Sequence, residues 1–337
     1  MTHDFRIGLI GLGRIGAFHA ETLASLPGVS GLVVADADLA RAEAVGAKFG
    51  AEVAASPDAL LASRPDGVVI AAATDAHAAL ILAAVDAGIP TFCEKPTAAT
   101  AAESLAVLAG TSGSGVPVQI GYQRRFDPGF VAARAAVASG ELGWLHTVRS
   151  TTMDPVPPPP SYIATSGGIF RDCGVHDFDI IRWVTGREVV ELVAIGANRG
   201  DKSFTAVGDV DTAAVTLTLD DGTLVIVSIT RYNGRGYDCR LELHGSRDSV
   251  AAGWDDRLPM RSTEAGVEFP AGVPRQFFMD RFLPAYRAEL SAFLDVVAGV
   301  RPSPCTLSDA IEAGWIAEAA TLSAREHRAV RMEEVRR

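Results

Sequence analysis

Two architectures follow one another along this sequence. A doubly wound α/β domain on a parallel sheet comes first, then an α+β domain with a mostly antiparallel sheet. Three observations predict this order. Up to about Tyr122, short β-like runs alternate with helical stretches of about ten residues or more. A glycine-rich turn joins the first run to the first helix. Beyond Tyr122, long strand candidates follow one another without helices between them, two of them across the hairpin turn Asp220-Asp221-Gly222.

In order, Phe5–Ile10 reads as a strand and Ile15–Leu26 as a helix. Leu32–Ala35 is a strand followed by a helix over Ala40–Phe49, and Gly67–Ala72 is a buried strand followed by a helix over His77–Ala87. Pro90–Cys93 and Val118–Gly121 are further strands around a helix near Ala101–Ala109. This places a first domain at residues 1–122 and a second at 123–337. In the second, the strand candidates are Val189–Ala197, Val210–Leu219, Thr223–Arg231 and Cys239–His244. Helices over Ala285–Val297 and Ser308–Glu326 close the chain. Pro157–Pro160 is a stiff polyproline stretch inside the second domain and reads as a rigid loop.

Composition sets the limits. The 337 residues suit two domains of about 150 residues each. With 48% hydrophobic and 21% charged residues, the chain has the make-up of a compact protein rather than a disordered one. A net charge of −11 gives no general field for nucleic acid or an anionic membrane, so neither is expected as a partner. No apolar run is long enough to span a bilayer. The N-terminal MTHDFRIGLIGLG has no basic leader region, so secretion is not expected. Cys93, Cys173, Cys239 and Cys305 are scattered without a C-x-x-C pair, which fits a reducing cytoplasm.

The segment Gly11-Leu12-Gly13-Arg14-Ile15-Gly16 follows a strand and opens a helix. Gly11 allows the tight turn, Gly13 lets backbone approach a pyrophosphate, and Gly16 permits close helix–strand packing. The first-turn backbone at Arg14 and Ile15 then faces the phosphates. Asp36 ends the second strand about 20 residues on, where a carboxylate accepts hydrogen bonds from the adenosine ribose and repels a 2′-phosphate. Ala37 and Asp38 follow it rather than an arginine, so NAD is the expected cofactor over NADP. Thr74 and His77, after the Gly67–Ala72 strand, stand where such a sheet meets its cofactor, although a histidine there also simply packs at a helix start.

Glu94-Lys95-Pro96 follows another strand end. A lysine there is placed to stabilise a carbonyl or alkoxide oxygen, or is an ordinary surface lysine. The richest constellation is Asp172-Cys173-Gly174-Val175-His176-Asp177-Phe178-Asp179. On a helix starting near Asp172, Asp172, His176 and Asp179 form one polar stripe. A histidine beside a carboxylate suits general acid–base work. A capping Asp172 with a structurally satisfied His176 is the plainer reading. A metal site is the third, and no metal is expected, because one histidine with acids is a poor zinc set. Arg124, in Gln123-Arg124-Arg125-Phe126-Asp127, and Tyr237 are candidate substrate contacts that equally suit a salt bridge and a core aromatic.

Taken together, GLGRIG, FCEKP, GYQRRFDPGF, the block from Asp154 to Trp183, GYDCRLELHGS and FFMDRFLPAY resemble the glucose–fructose oxidoreductase and inositol dehydrogenase family nearly end to end. The Asp154–Trp183 block looks most like its inositol 2-dehydrogenase branch. The resemblance implies a Rossmann domain plus an α+β domain with an open-faced sheet, assembled as a homodimer or homotetramer through that sheet. It implies Lys95, Asp172 and His176 as catalytic residues and a cis Lys95–Pro96 bond. It places Glu94 and Lys95 at the cofactor, and Lys95, Arg124, Asp172, His176 and Tyr237 at the substrate; from the helical stripe, Asp179 one turn on is expected to bind another hydroxyl. Met153 and Gln123 depart from the residues common at those places, leaving an inositol, a related polyol or a sugar as the expected substrate. The expected activity is therefore NAD-dependent oxidation of a secondary alcohol on a cyclic polyol. Its rivals are a sugar dehydrogenase, a nucleotide-sensing regulator that lost catalysis, and an NAD-using glycosidase on the same fold.

Overall fold

The structure is a computed structural model that describes residues 4–336. Its first sheet is six-stranded and parallel. The elements run β1 (Phe5–Ile10), α1 (Arg14–Ser25), β2 (Val29–Ala35), α2 (Leu39–Phe49), β3 (Glu52–Val53), α3 (Pro57–Ala62), β4 (Gly67–Ile70), α4 (Thr74–Asp86), β5 (Thr91–Glu94), α5 (Ala101–Thr111) and β6 (Val118–Gly121). The strand order β3-β2-β1-β4-β5-β6 reverses at β1 and β4, the switch point at which such sheets take their ligand. Strand residues such as Ile7, Leu9, Val34, Val69 and Phe92 are fully buried, as a sheet covered on both faces requires. Local chemistry fixes the helix starts. Asp38 caps α2, Ser56 caps α3 ahead of Pro57, and Thr100 with Glu103 forms a capping box on α5. Pair β3–α3 escapes the sequence reading because two and six residues are too short for a periodic signal.

The later elements are α6 (Pro128–Ser139), β7 (Leu145–Met153), α7 (Pro160–Ile163), α8 (Val175–Thr185), β8 (Val189–Ala197), α9 (Lys202–Ala206), β9 (Thr212–Leu219), β10 (Leu224–Thr230), β11 (Asp238–Gly245), β12 (Ser249–Ala252), α10 (Phe278–Val297), α11 (Leu307–Glu326) and β13 (Val330–Arg331). The second sheet has the order β12-β11-β7-β10-β9-β8-β13 and is antiparallel except for the β7–β10 pair. One face is a core of Leu192, Val215, Leu217, Val225, Val227, Leu241 and Leu243. The other face leaves Val193, Ile195, Leu224 and Ile226 exposed.

Strand β7 is absent from the sequence reading for a physical reason. Its inward face carries Ser150 and Thr152, which donate to the buried carboxylate of Asp177, so the apolar alternation is lost. The helix expected from Asp172 is also different. Residues Phe170–Gly174 form a π-helical turn, and the α-helix begins only at Val175.

Contacts group the chain into two compact units. One holds residues up to Gln123 together with Tyr286–Ile311, and the other holds Arg124–Ala285 with Glu312 onward. A cut at 122/123 therefore leaves out a returning segment. Leu290, Phe293, Leu294 and Val296 of α10 fill the same core as Ile7, Leu9 and Phe92.

Candidate active site

In the first unit the cofactor end is built from backbone. Gly11 has φ +89°, and a Cβ there would run into the backbone of Ala72. A Cβ on Gly16 would strike the Gly11 carbonyl oxygen, so this glycine lets α1 pack onto the turn. Gly13 is the N-cap of α1, has no side-chain cap, and its missing Cβ faces open space. Helix-start N–H groups beside an open approach are the donor set that a pyrophosphate needs. Exposed Arg14 and half-buried Ile15 form the first turn behind it.

Asp36, at the end of β2, accepts from the N–H groups of Leu12 (2.6 Å) and Asp38 (2.8 Å), and from Arg41 Nη1 (3.1 Å). These bonds aim the carboxylate while leaving it lone pairs for ribose hydroxyls. Arg41, which the sequence reading passed over, is half exposed and also pairs with Asp38. The residues present fit a dinucleotide.

Thr74 opens α4. His77 is buried, with Nδ1 2.7 Å from the Pro96 carbonyl and Nε2 3.1 Å from that of Ala72. A neutral ring donates to only one of these carbonyls. Its placement braces the loop after Lys95, and the expected cofactor contact of His77 has no support in this geometry. Glu94 ends β5 with Oε1 2.7 Å from Nε2 of the fully buried His19. Lys95 follows, half-buried, and its bond to Pro96 is cis.

In the second unit charges replace backbone. Asp172 lies in the π-helical turn, a backbone form that clusters at functional sites. Tyr162 OH donates to its Oδ1 (2.8 Å), and Arg231 Nη2 donates to its Oδ2 (2.6 Å). Nη1 of the same arginine donates to Asp154 Oδ2 (2.8 Å). His176 is half-buried in the first turn of α8.

Two expected substrate contacts are occupied elsewhere. Asp179 has no exposed surface, and both of its oxygens accept from Arg125 (2.5–3.2 Å). Arg124 is buried, donating to Asp177 Oδ1 (3.1 Å) and Thr152 Oγ1 (2.9 Å). Arg124 therefore ties α8 to β7, Asp179 ties α8 to Arg125 in the turn after β6, and the stripe expected of Asp172, His176 and Asp179 is broken. The helix turns Asp179 inward, and the π turn places Asp172 before α8 proper. Tyr237 is buried edge-on against Phe282, and burial pushes its phenol well up. Arg231, Tyr162 and Asp154 were missed because no spacing in the sequence links them to Asp172.

The fold and its glycine-rich helix start define a nicotinamide-dinucleotide-dependent oxidoreductase. Residues 5–122 match the oxidoreductase family with an NAD-binding Rossmann fold, and residues 130–251 match the GFO/IDH/MocA C-terminal domain. The chain belongs to this GFO/IDH/MocA oxidoreductase family, and its cofactor is NAD. A myo-inositol dehydrogenase of Streptomyces leeuwenhoekii is 39% identical, over 94% of this chain and 97% of its own. The crystal structure of a myo-inositol dehydrogenase from Corynebacterium glutamicum superposes with a TM-score of 0.90 at 36% identity, covering 97% and 98% of the two chains. A scyllo-inositol dehydrogenase from Lactobacillus casei, solved with NAD(H) and scyllo-inositol, gives a TM-score of 0.88 at 27% identity over 98% and 99%.

Proposed function

We propose that this protein oxidises a secondary alcohol of a cyclic polyol, an inositol before other sugars, with NAD as acceptor. The observation that carries the reading is Asp172 in the π turn with His176 in the first turn of α8 that follows it, in a chain whose other unit ends β5 at Glu94 and continues into Lys95-Pro96. The relatives named for myo- and scyllo-inositol support the substrate class.

NAD, when bound, supplies the hydride acceptor. The His176 imidazole takes the proton of the reacting hydroxyl. The Lys95 ammonium is the group suited to stabilise a developing oxyanion, a role of about 3 kcal/mol in comparable donors. Asp172 accepts from a neighbouring hydroxyl and orients the ring. Gly11, Gly13, Gly16 and Asp36 hold the dinucleotide. We assign residues 1–122 to the cofactor and the stretch from 123 onward to substrate and assembly.

The exposed Val193, Ile195, Leu224 and Ile226 make one sheet face apolar enough to bury against a second copy, giving a homodimer or homotetramer. Loss of oligomer mass in Ile195→Asp/Ile226→Asp, read by light scattering, tests that assembly. The described helices include none long and apolar enough to cross a membrane, and four buried cysteines outside any disulfide suit a reducing cytoplasm.

The decisive experiment is a panel of inositols and aldoses with NAD, following absorbance of the reduced cofactor. Turnover of at least one inositol, faster than any aldose, is expected. Turnover of aldoses alone makes it a sugar dehydrogenase. NAD binding without any turnover makes it a sensor.

A further inference from the structure

Strands β7 and β10 are the parallel pair of the second sheet, and they end in register at Met153 and Thr230. The next residue of each strand, Asp154 and Arg231, therefore emerges side by side at one edge. Backbone bonds fix both positions: Asp154 N donates to Thr230 O (2.9 Å) and Arg231 N to Asp211 O (2.8 Å). The Arg231 side chain is 5% exposed. Burial works against its charge, but the carboxylates of Asp172 and Asp154 around it outweigh that and hold it cationic. Its two terminal nitrogens go to two different carboxylates, Asp154 on the strand and Asp172 on the π turn.

We propose that Arg231 is a positioning residue for the reaction: it ties the Asp172 carboxylate to the strand-end frame of Asp154, while Tyr162 holds the other oxygen. The inference rests on the catalytic reading of Asp172. An aspartate has two rotatable bonds, and a carboxylate that must meet a hydroxyl works only in one direction. Misplacement by about 1 Å can cost about 100-fold in rate. Arg231 holds one oxygen from the strand side and Tyr162 the other from α7, so Asp172 is fixed at two points. A planar fork is needed because one group must reach two carboxylates at once, which a lysine ammonium on a flexible stem does poorly. The polyproline stretch before α7 acquires a purpose here, as a stiff arm that presents the exposed Tyr162.

The test uses Arg231→Met, Arg231→Lys and Tyr162→Phe in the full chain, with kcat, polyol KM, NAD affinity and Tm measured for each. Arg231→Met is expected to lower kcat about 100-fold with NAD affinity unchanged. Arg231→Lys should recover part of that loss, and Tyr162→Phe should lose several-fold. In an Asp172→Asn background, Arg231→Lys should cost nothing further in kcat, because both act through one carboxylate. An equal further loss in that background, or wild-type kcat in Arg231→Met and Arg231→Lys, overturns the proposal. Should Arg231→Met fail to fold, Arg231→Lys and the exposed Tyr162→Phe carry the test. Crystal structures of these two variants give a readout independent of turnover: an Asp172 carboxylate unmoved in both overturns the proposal even if no polyol is oxidised. Absence of wild-type turnover across the panel counts against the polyol reading alone.

Discussion

Around Gly11–Gly16 in the first unit the site is mostly backbone: three glycines and the first turn of α1, with Asp36, Arg41 and the exposed Arg14 as its charges. Around α8 in the second unit, Arg124 pairs with Asp177, Arg125 with Asp179, Arg231 with Asp154 and Asp172, and Arg281 with Asp127. Most of these side chains are nearly or fully buried. The contrast has an energetic meaning. A site made of backbone depends on the absence of side chains, so its function can be damaged without harming the fold. In a site made of buried ion pairs, loss of one partner strands the other, so function and stability are lost together.

Variants can break or sharpen this contrast. The largest effect is expected for His176→Ala, which should lower kcat by about 10²–10⁴ while NAD affinity and Tm stay near wild type, since His176 is only half-buried. Steady-state kinetics and equilibrium NAD binding check it. Near wild-type turnover would return His176 to a structural role.

Next comes Asp179→Ala, expected to destabilise by about 3–5 kcal/mol in urea unfolding, because Arg125 loses its bidentate partner. The paired change Arg125→Met/Asp179→Leu should recover most of that. A raised polyol KM with unchanged stability would instead restore the substrate role first expected of Asp179.

Gly13→Ala should do the opposite. Its φ of −63° and open surroundings accept a methyl without strain, so Tm should hold. The methyl stands in the pyrophosphate approach, so NAD KM should rise by about 5- to 150-fold, the equivalent of ~1–3 kcal/mol of overpacking. Asp36→Ser should weaken NAD by about tenfold or more through the lost charge-assisted bonds to ribose, and narrow the preference over NADP. Equal use of both cofactors by the wild type would refute the role of Asp36.

The narrowest effect, confined to one pH window, is on stability at alkaline pH. Burial pushes the Cys239 thiol from 9.0 up to about 11. Below pH 9 the thiol is protonated in folded and unfolded chains alike. Between pH 9 and 11 only the unfolded chain ionises, so folding stability falls as pH rises through that window. The loss attributable to this thiol reaches roughly 2–3 kcal/mol, at 1.36 kcal/mol per unit. Cys239→Ala should flatten the slope of urea-unfolding free energy against pH in that window.

The sequence displayed the first unit almost completely, and the same contrast explains why. Glycines at fixed spacing, a strand before them and Asp36 after them are local signals, readable within about 30 residues. The second unit was legible where alternation is apolar, as in β8, whose bounds Val189–Ala197 were read directly. It was illegible where polar residues are buried by pairing. Ser150 and Thr152 hide β7 because they serve Asp177. Arg231 reaches Asp172 from 59 residues away. Asp179 looked like a site residue because a buried ion pair and a binding carboxylate are written with the same letter.

The four thiols offer a use beyond redox compartment. All are buried thiols outside any disulfide. Cys93 and Cys305 belong to the first unit, and Cys173 and Cys239 to the second. A thiol reagent can label each only when the structure around it opens, so labelling rates in native buffer report the opening free energy of each unit separately. Mass spectrometry of the labelled peptides would then read two clocks within one chain. Saturating NAD should slow the Cys93 and Cys305 clock, since a ligand held by the native state suppresses its opening. The second clock would show how far that stabilisation travels.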